Sequence, residues 1–250
     1  MTYNPFSLAN KKILITGASS GIGRSVAIEC SKLGADVFIS GRNAERLNET
    51  YALLAKGNNG QITADLNSPE DLAFLVNKIT AIDGIVHCAG IFGHKPFTFL
   101  QKTDFAEMFD INFFAPAQMT IELLKQKKIS KNGSIVFITS ISGILTSYYG
   151  GALYSSTKGA LNGLIKGMAL DLSAKKIRVN SVMPAMVTTD IMSNGAVTDE
   201  QINADIKKYP LSRYGKPEEV AYAVVYLLSD ASSWVTGSNI LLDGGRTIAY

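Results

Sequence analysis

The stretch Lys11-Lys12-Ile13-Leu14-Ile15-Thr16-Gly17-Ala18-Ser19-Ser20-Gly21-Ile22-Gly23 decides how this chain folds. Its first six residues form a short apolar, β-rich run. The run stops at glycines spaced G-x-x-x-G-x-G. Beyond them Ile22, Val26, Ala27, Cys30 and Leu33 recur on one helical face, up to Gly34. Strand, glycine turn and helix in that order bring a backbone against a pyrophosphate. The glycines permit the tight turn and the close approach, and the helix N-terminus stabilises the anion. The spacing departs from the usual G-x-G-x-x-G. No Gly-Lys-Ser or Gly-Lys-Thr follows, which argues against a P-loop. Gly17, Ser19, Ser20, Gly21, Ile22 and Gly23 are therefore the candidate cradle of a nucleotide cofactor.

Outward from this unit, strands and helices alternate. Strands are expected at Ala35–Ser40, Gly60–Ala64, Asp83–Cys88, Ser134–Thr139, Ile177–Val182 and Asn239–Leu242. Helices are expected over Asn43–Lys56, Pro69–Ile79, Lys102–Lys127 (bent at Pro116 or left with one open hydrogen bond), 153–174 and Pro217–Leu228. Residues 186–210 have no clear period and read as a mobile excursion over the substrate. The alternation implies right-handed βαβ crossovers: one doubly wound Rossmann domain over residues 1–250, with a single parallel sheet of about seven strands and helices on both faces.

Composition agrees with a single packed enzyme domain. Hydrophobic residues make up 46% of the chain and charged residues 18%, enough for a substantial core. The net charge of +3 does not suggest a nucleic-acid surface. The two cysteines, Cys30 and Cys88, form no C-x-x-C motif and suit a reducing compartment, so a cytoplasmic location is expected. No secretory signal is visible, and no apolar run reaches the roughly 18 residues of a membrane span. His87, Cys88 and His94 lack a fourth ligand, so no metal site is expected.

The end of the second strand, Ser40-Gly41-Arg42-Asn43, holds no acid and one Arg. An acid there accepts from the ribose 2′-hydroxyl of NAD, whereas a guanidinium suits the 2′-phosphate of NADP. Arg42 thus points to NADP over NAD, the alternative being the solvated start of a helix. Tyr154 and Lys158 lie four residues apart, on one face of an expected helix. An ammonium beside a phenol favours the phenolate and lowers the Tyr pKa from about 10.

Thr16-Gly17-x3-Gly21-Ile22-Gly23, Cys88-Ala89-Gly90, Asn112, Ser140, Tyr154-x3-Lys158 and Pro184 occur in one order along one α/β domain. The chain resembles the short-chain dehydrogenase/reductase family over essentially its whole length. Its tail, Pro210 to Val220 and Thr236-Gly237 through Asp243-Gly244-Gly245, is similar to the family's bacterial 3-oxoacyl-carrier reductases. The resemblance implies hydride transfer between a nicotinamide cofactor and a carbonyl or alcohol. It makes Tyr154 the acid in reduction and the base in oxidation. Lys158 would hold the nicotinamide ribose and depress the Tyr154 pKa, helped by the positive oxidised nicotinamide. Ser140 would donate to the substrate oxygen, and Asn112 would hold a water linking Lys158 to solvent. Asp65 and Leu66 would flank the adenine, and Val187 and Thr189 the nicotinamide half. Cys88-Ala89-Gly90 and Pro184 would complete the cofactor contacts.

Two positions depart from the family pattern. Cys88 stands where Asn is usual, and a thiol cannot make the same amide hydrogen bonds. Ala185 replaces the Gly that commonly follows Pro184, where a positive φ would be costly. Ser142 competes with Ser140 for the catalytic role, and Gly143, three residues after Ser140, favours the latter. The substrate is either a 3-oxoacyl thioester or the sugar, polyol or steroid alcohol of another family branch. A catalytically silent nucleotide sensor is the alternative outside enzymology. Lys125-Gln126-Lys127-Lys128 is either a solvated helix end or a docking site for an acidic carrier. Tyr148 and Tyr149 are placed in the substrate cleft, Phe92, Phe97 and Phe99 in packing under a loop, and Trp234 in the core or a subunit contact. Small residues at Ala115, Ala117, Gly159, Ala160, Gly163 and Gly167 would let helices of neighbouring subunits approach, and family members commonly form homo-tetramers.

Overall fold

Strand β1, Lys12–Thr16, is the apolar run of the opening motif. Ile13, Leu14 and Ile15 are all fully buried, as a strand covered on both faces requires. Ile13 and Ile15 point into one core cluster and Leu14 into the other. The structure is a computed structural model and describes residues 3–189 and 198–249. After β1 come α1 (Gly21–Lys32), β2 (Asp36–Gly41), α2 (Ala44–Ala52), β3 (Gly60–Thr63), α3 (Pro69–Lys78) and β4 (Ile82–His87). The second half runs α4 (Lys102–Phe109), α5 (Ala115–Lys125), β5 (Ile129–Ile138), α6 (Ala152–Asp171), β6 (Arg178–Pro184), α7 (Asp199–Ile206), α8 (Pro217–Leu228) and β7 (Asn239–Leu242).

All these strands pair in parallel, in the order β3-β2-β1-β4-β5-β6-β7. The expected single, doubly wound sheet therefore forms. Residues of α1 and α8 fill the cluster on one face, and residues of α3, α5 and α6 fill the other. The strand order reverses between β1 and β4. In an open α/β sheet a ligand crevice lies at such a switch, beyond the carboxyl ends of the strands.

Three expectations are corrected. Strand β5 starts at Ile129, not Ser134, and its pairing with β4 shifts register between Ile82 and Gly84. The exposed Lys131-Asn132 hid this first half from an apolar reading. The segment 102–127 is α4 and α5 joined by a π-helical turn, Asp110–Phe114, instead of one bent helix. Pro116 offers no N–H to the carbonyl four residues back, that of Asn112, and the wider turn carries the chain past the ring. Within the excursion 186–210, α7 is a capped helix. Thr198 Oγ1 accepts from the Gln201 N–H at 3.2 Å, and Gln201 Oε1 accepts from the Thr198 N–H at 3.0 Å. The part of that excursion over 190–197 lies outside the described residues.

Candidate active site

The glycine turn is built for close approach. Gly17 has φ +64°, and a Cβ on it would lie 2.6 Å from the Ala89 amide nitrogen. A Cβ on Gly23 would collide with the Gly17 carbonyl oxygen. Glycine at both places thus lets β1, the start of α1 and the 88–90 turn meet at the switch point. Ser20 caps α1 in an extended conformation with no side-chain hydrogen bond, and the first turn of α1 holds no acid. The positive end of the helix is therefore open to an anion. Arg24 braces the turn from behind: its guanidinium donates to the Ser19 carbonyl at 2.8 Å and to Glu49 at 2.9 Å. Arg42 is exposed just past β2, and a Cβ on the preceding Gly41 would sit 3.2 Å from Ser19. Arg42 and Ser19 thus border the same end of the crevice. These residues fit a dinucleotide.

Leu66 is buried after β3, and Asp65 accepts from the Asn67 N–H at 3.0 Å. On the other flank Ala185 donates its N–H to Leu242 and has no positive φ, so the loss of glycine there costs no strain. Val187 pairs with Gly215, and the Thr189 methyl lies 3.3 Å from where a Cβ on Gly21 would stand. The segment from Pro184 to Thr189 thus reaches back over the glycine turn.

The candidate acid–base residues sit at the carboxyl end of β5 and the start of α6. Ser140 is buried and hydrogen-bonds the Tyr154 hydroxyl in the sense that favours the phenolate. Ser142 donates its backbone N–H to Ser140 Oγ at 3.1 Å. Lys158 is buried, donates to the Ile138 carbonyl at 2.9 Å, and lies 5.7 Å from the Tyr154 ring centroid. Burial pushes the Tyr154 phenol up to about 12, opposed by the Ser140 hydrogen bond. That differs from the expected direction: burial sets it, and the Lys158 ammonium faces the ring and a carbonyl. Burial likewise pulls Lys158 down to about 8.

Asn112 lies in the π turn, fully buried. Its Oδ1 accepts from the Ile91 N–H at 2.8 Å, and its Nδ2 donates to the Ile91 carbonyl at 3.0 Å and to Thr157 Oγ1 at 3.1 Å. A Cβ on Gly90 would fall 2.9 Å from Asn112 Oδ1 and 3.7 Å from Lys158 Nζ. Asn112, Gly90 and Lys158 are thus brought together, with Asn112 knitting the 90–91 backbone to α6. Cys88 packs against the core, and burial raises its thiol to about 12.

Sequence reasoning missed several supports: the Ile138 carbonyl, Thr157, Arg24 and the ring cluster around Tyr154. Only Arg24, one residue after the last glycine of the turn, carried a usable signal. Phe92, Phe97 and Phe99 are 53%, 70% and 67% exposed, not packed under a loop. Phe92 lies 5.3 Å from the Tyr154 ring, and Tyr148 joins both, while Tyr149 is exposed. Phe92 also lines a cavity of about 260 Å³ with Leu100, Met108 and Leu153. Trp234 is fully exposed, which removes the core reading. His87 is buried against Phe137. Thr120 donates its hydroxyl to Pro116, so His87 Nε2 donates to Thr120, and Nδ1 has no partner among the described residues. Lys128 donates to the Val76 and Asn77 carbonyls at the end of α3, and Lys125 pairs with Glu122. These cations close helix ends.

A glycine cradle at a switch point, facing a paired Ser and Tyr over a buried Lys, defines an oxidoreductase of the nicotinamide-dependent α/β class. A family model described as enoyl-(acyl carrier protein) reductase matches residues 17–247. The 3-oxoacyl-(acyl-carrier-protein) reductase of Rickettsia conorii is 35% identical over 95% of this chain and 97% of its own. The 7α-hydroxysteroid dehydrogenase of Escherichia coli is 31% identical over 95% and 94%. A solved Agrobacterium tumefaciens structure with bound NADP superposes with a TM-score of 0.86 at 30% identity, covering 98% of this chain and all of that one. A short-chain dehydrogenase/reductase from Serratia marcescens gives 0.89 at 28% identity, over 98% of this chain and all of its own. The chain belongs to the short-chain dehydrogenase/reductase family of oxidoreductases.

Proposed function

We propose that this protein is an NADP(H)-dependent carbonyl reductase, running reversibly as an alcohol dehydrogenase. The observation that carries the reading is the Ser140–Tyr154 hydroxyl pair, with the Lys158 charge one helical turn away, beside the glycine cradle. The bound nicotinamide would supply or accept the hydride. Tyr154, which keeps its proton at neutrality, donates it to the carbonyl oxygen as the alkoxide forms, and Ser140 donates a second hydrogen bond to the same oxygen. Lys158 holds positive charge beneath the phenol and binds the ribose, and Asn112 fixes the backbone beside it. Gly17, Ser19 to Gly23, Cys88 to Gly90, Asp65, Leu66, Pro184, Val187 and Thr189 line the cofactor. Arg42 takes the 2′-phosphate.

Identity to 3-oxoacyl-carrier reductases makes a 3-oxoacyl thioester the first substrate to assay. The steroid dehydrogenase relative keeps ring alcohols beside it. The matched family description also calls for an enoyl thioester arm. The assay follows NADPH and NADH oxidation with acetoacetyl and crotonyl thioesters and a ketone panel. Turnover of crotonyl thioester alone, or of none, overturns the carbonyl reading. Tyr154→Phe is expected to lower kcat by on the order of a thousandfold, with NADPH affinity held within about threefold. A silent sensor would show no such loss. Arg42→Ala is expected to weaken NADPH by about tenfold and NADH hardly at all; equal weakening removes the phosphate role.

The assembly we propose is a homo-tetramer. Added Cβ atoms on Gly163 and Gly167 would meet nothing within 4 Å among the described residues, and Leu170 beside them is 76% exposed, leaving a bare face on α6 for a second copy. Gly159 is not part of that face, because a Cβ there would sit 2.8 Å from the Gly143 carbonyl. Sedimentation velocity tests the state. The two free cysteines suit the reducing cytoplasm.

A further inference from the structure

Tyr154 stands in the first turn of α6, and that turn has no side-chain cap, because Gly151 occupies the N-cap position. Ties on its flanks therefore set its place. At about 100° per residue, Ser155 lies to one side of Tyr154 and Thr157 about 60° round on the other. On the first flank Ser155 hydrogen-bonds Ser147 at 2.8 Å, and Gly143 passes so closely that a Cβ on it would strike the Ser155 carbonyl. On the second flank Thr157 is fully buried.

Thr157 has one hydroxyl proton and donates it to the Tyr154 carbonyl at 2.8 Å, the back-bond that a helical threonine can make. Its oxygen accepts in turn from Asn112 Nδ2 at 3.1 Å. The other amide proton of Asn112 goes to the Ile91 carbonyl at 3.0 Å, and Oδ1 accepts the Ile91 N–H at 2.8 Å. A continuous run of hydrogen bonds thus joins the main chain of Tyr154 to that of Ile91. The residues on either side of Ile91 face the reacting groups. A Cβ on Gly90 would lie 3.7 Å from Lys158 Nζ, and the Phe92 ring lies 5.3 Å from the Tyr154 ring. A valine at 157 would keep the branched shape and put a methyl where the oxygen stood. One Asn112 proton would then lack its acceptor in a buried place, which is costly. The amide regains a partner by turning or by admitting water, and either displaces Ile91 and its neighbours.

We infer that Thr157 is a positioning residue for the transfer step: its hydroxyl ties Asn112 to the Tyr154 turn and so holds Gly90 and Phe92 in place against Lys158 and Tyr154. The inference rests on the carbonyl-reductase reading above. The test measures single-turnover NADPH oxidation, with acetoacetyl thioester and the ketone panel at saturation, in the wild type, Thr157→Val, Thr157→Ala and Thr157→Ser. A loss of folded molecules lowers the amplitude of such a reaction and leaves its rate constant alone, so a merely structural role would not move the rate. Thr157→Val and Thr157→Ala should each slow it by about tenfold, because transfer rates fall steeply with small displacements. NADPH affinity should stay within about threefold, and Thr157→Ser, which keeps the hydroxyl, should recover the rate to within about twofold of wild type. Hydrogen exchange followed by mass spectrometry needs no substrate. It should be faster over residues 88–95 in Thr157→Val than in Thr157→Ser or the wild type. Rates in Val and Ala within about twofold of wild type, a Ser rate as slow as theirs, or unchanged exchange over 88–95 would each overturn the inference and leave the reductase reading standing. No turnover of any ketone or thioester by the wild type overturns both.

Discussion

Tyr154 and Lys158 titrate in opposite directions because one environment disfavours charge on each. The phenol is held near 12 and the ammonium near 8. Reduction needs the phenol protonated and the lysine charged, so kcat/KM for reduction should be flat through neutrality and fall above about pH 8. Oxidation needs the phenol to surrender its proton and should rise with pH across the same range. Stopped-flow pH profiles in both directions check this, and a reduction rate that climbs above pH 8 would contradict the assignment. His87 affects stability instead of chemistry. Burial pulls its imidazole from 6.5 down to about 3. Between those values the unfolded chain binds the proton and the folded chain does not. The contribution is therefore fully present above about pH 6.5 and is lost as pH falls toward 3, at up to about 1.4 kcal/mol per pH unit. Urea unfolding at pH 7 and pH 5 should show a shallower acid-side loss in His87→Phe, whatever its stability at pH 7.

At the level of elements, the glycine turn and the π turn are the two places where backbone shape makes the site. Gly23→Ala puts a methyl against the Gly17 carbonyl. It should weaken either nicotinamide cofactor by about tenfold or more by displacing the turn. Fluorescence titration measures this, and unchanged affinity would mean that the turn is not the cradle. Asn112→Ala removes three hydrogen bonds, one buried and two half-buried, and should cost about 2–4 kcal/mol in urea unfolding. Elements with strong punctuation were legible in the sequence. Pro217 and the Asp243-Gly244-Gly245 turn bracket α8 and β7, and their bounds match. The Thr198–Gln201 capping box was equally visible, but the helix behind it is too weakly apolar to show a period. Pro116 marked the break in 102–125, but a bend, an open hydrogen bond and a π turn all answer the same missing N–H, so its form could not be read. The Tyr154–Lys158 spacing was readable, but the desolvation that sets both pKa values was not. It depends on what packs around them, and the Ile138 carbonyl and Tyr148–Gly93 bond come from segments far apart in the chain.

For the whole molecule, the parallel sheet sorts function by edge. Every strand points its carboxyl end the same way, so the turns after β1, β4 and β5 and the start of α6 gather on one rim. Helices that leave this rim end at the other. Lys125 to Lys128, at the end of α5, therefore lie across the sheet from Tyr154. The same ordering acts on how the molecule comes to exist. Strand β4 pairs with β1 only after the chain has passed over β2 and β3, and Ile13 meets Gly84 seventy-one positions later. Pairings that distant close slowly, because loop entropy is spent before the contact forms. Newly made or refolding chains should regain helical circular dichroism well before turnover, since neither half of the rim holds a working centre alone.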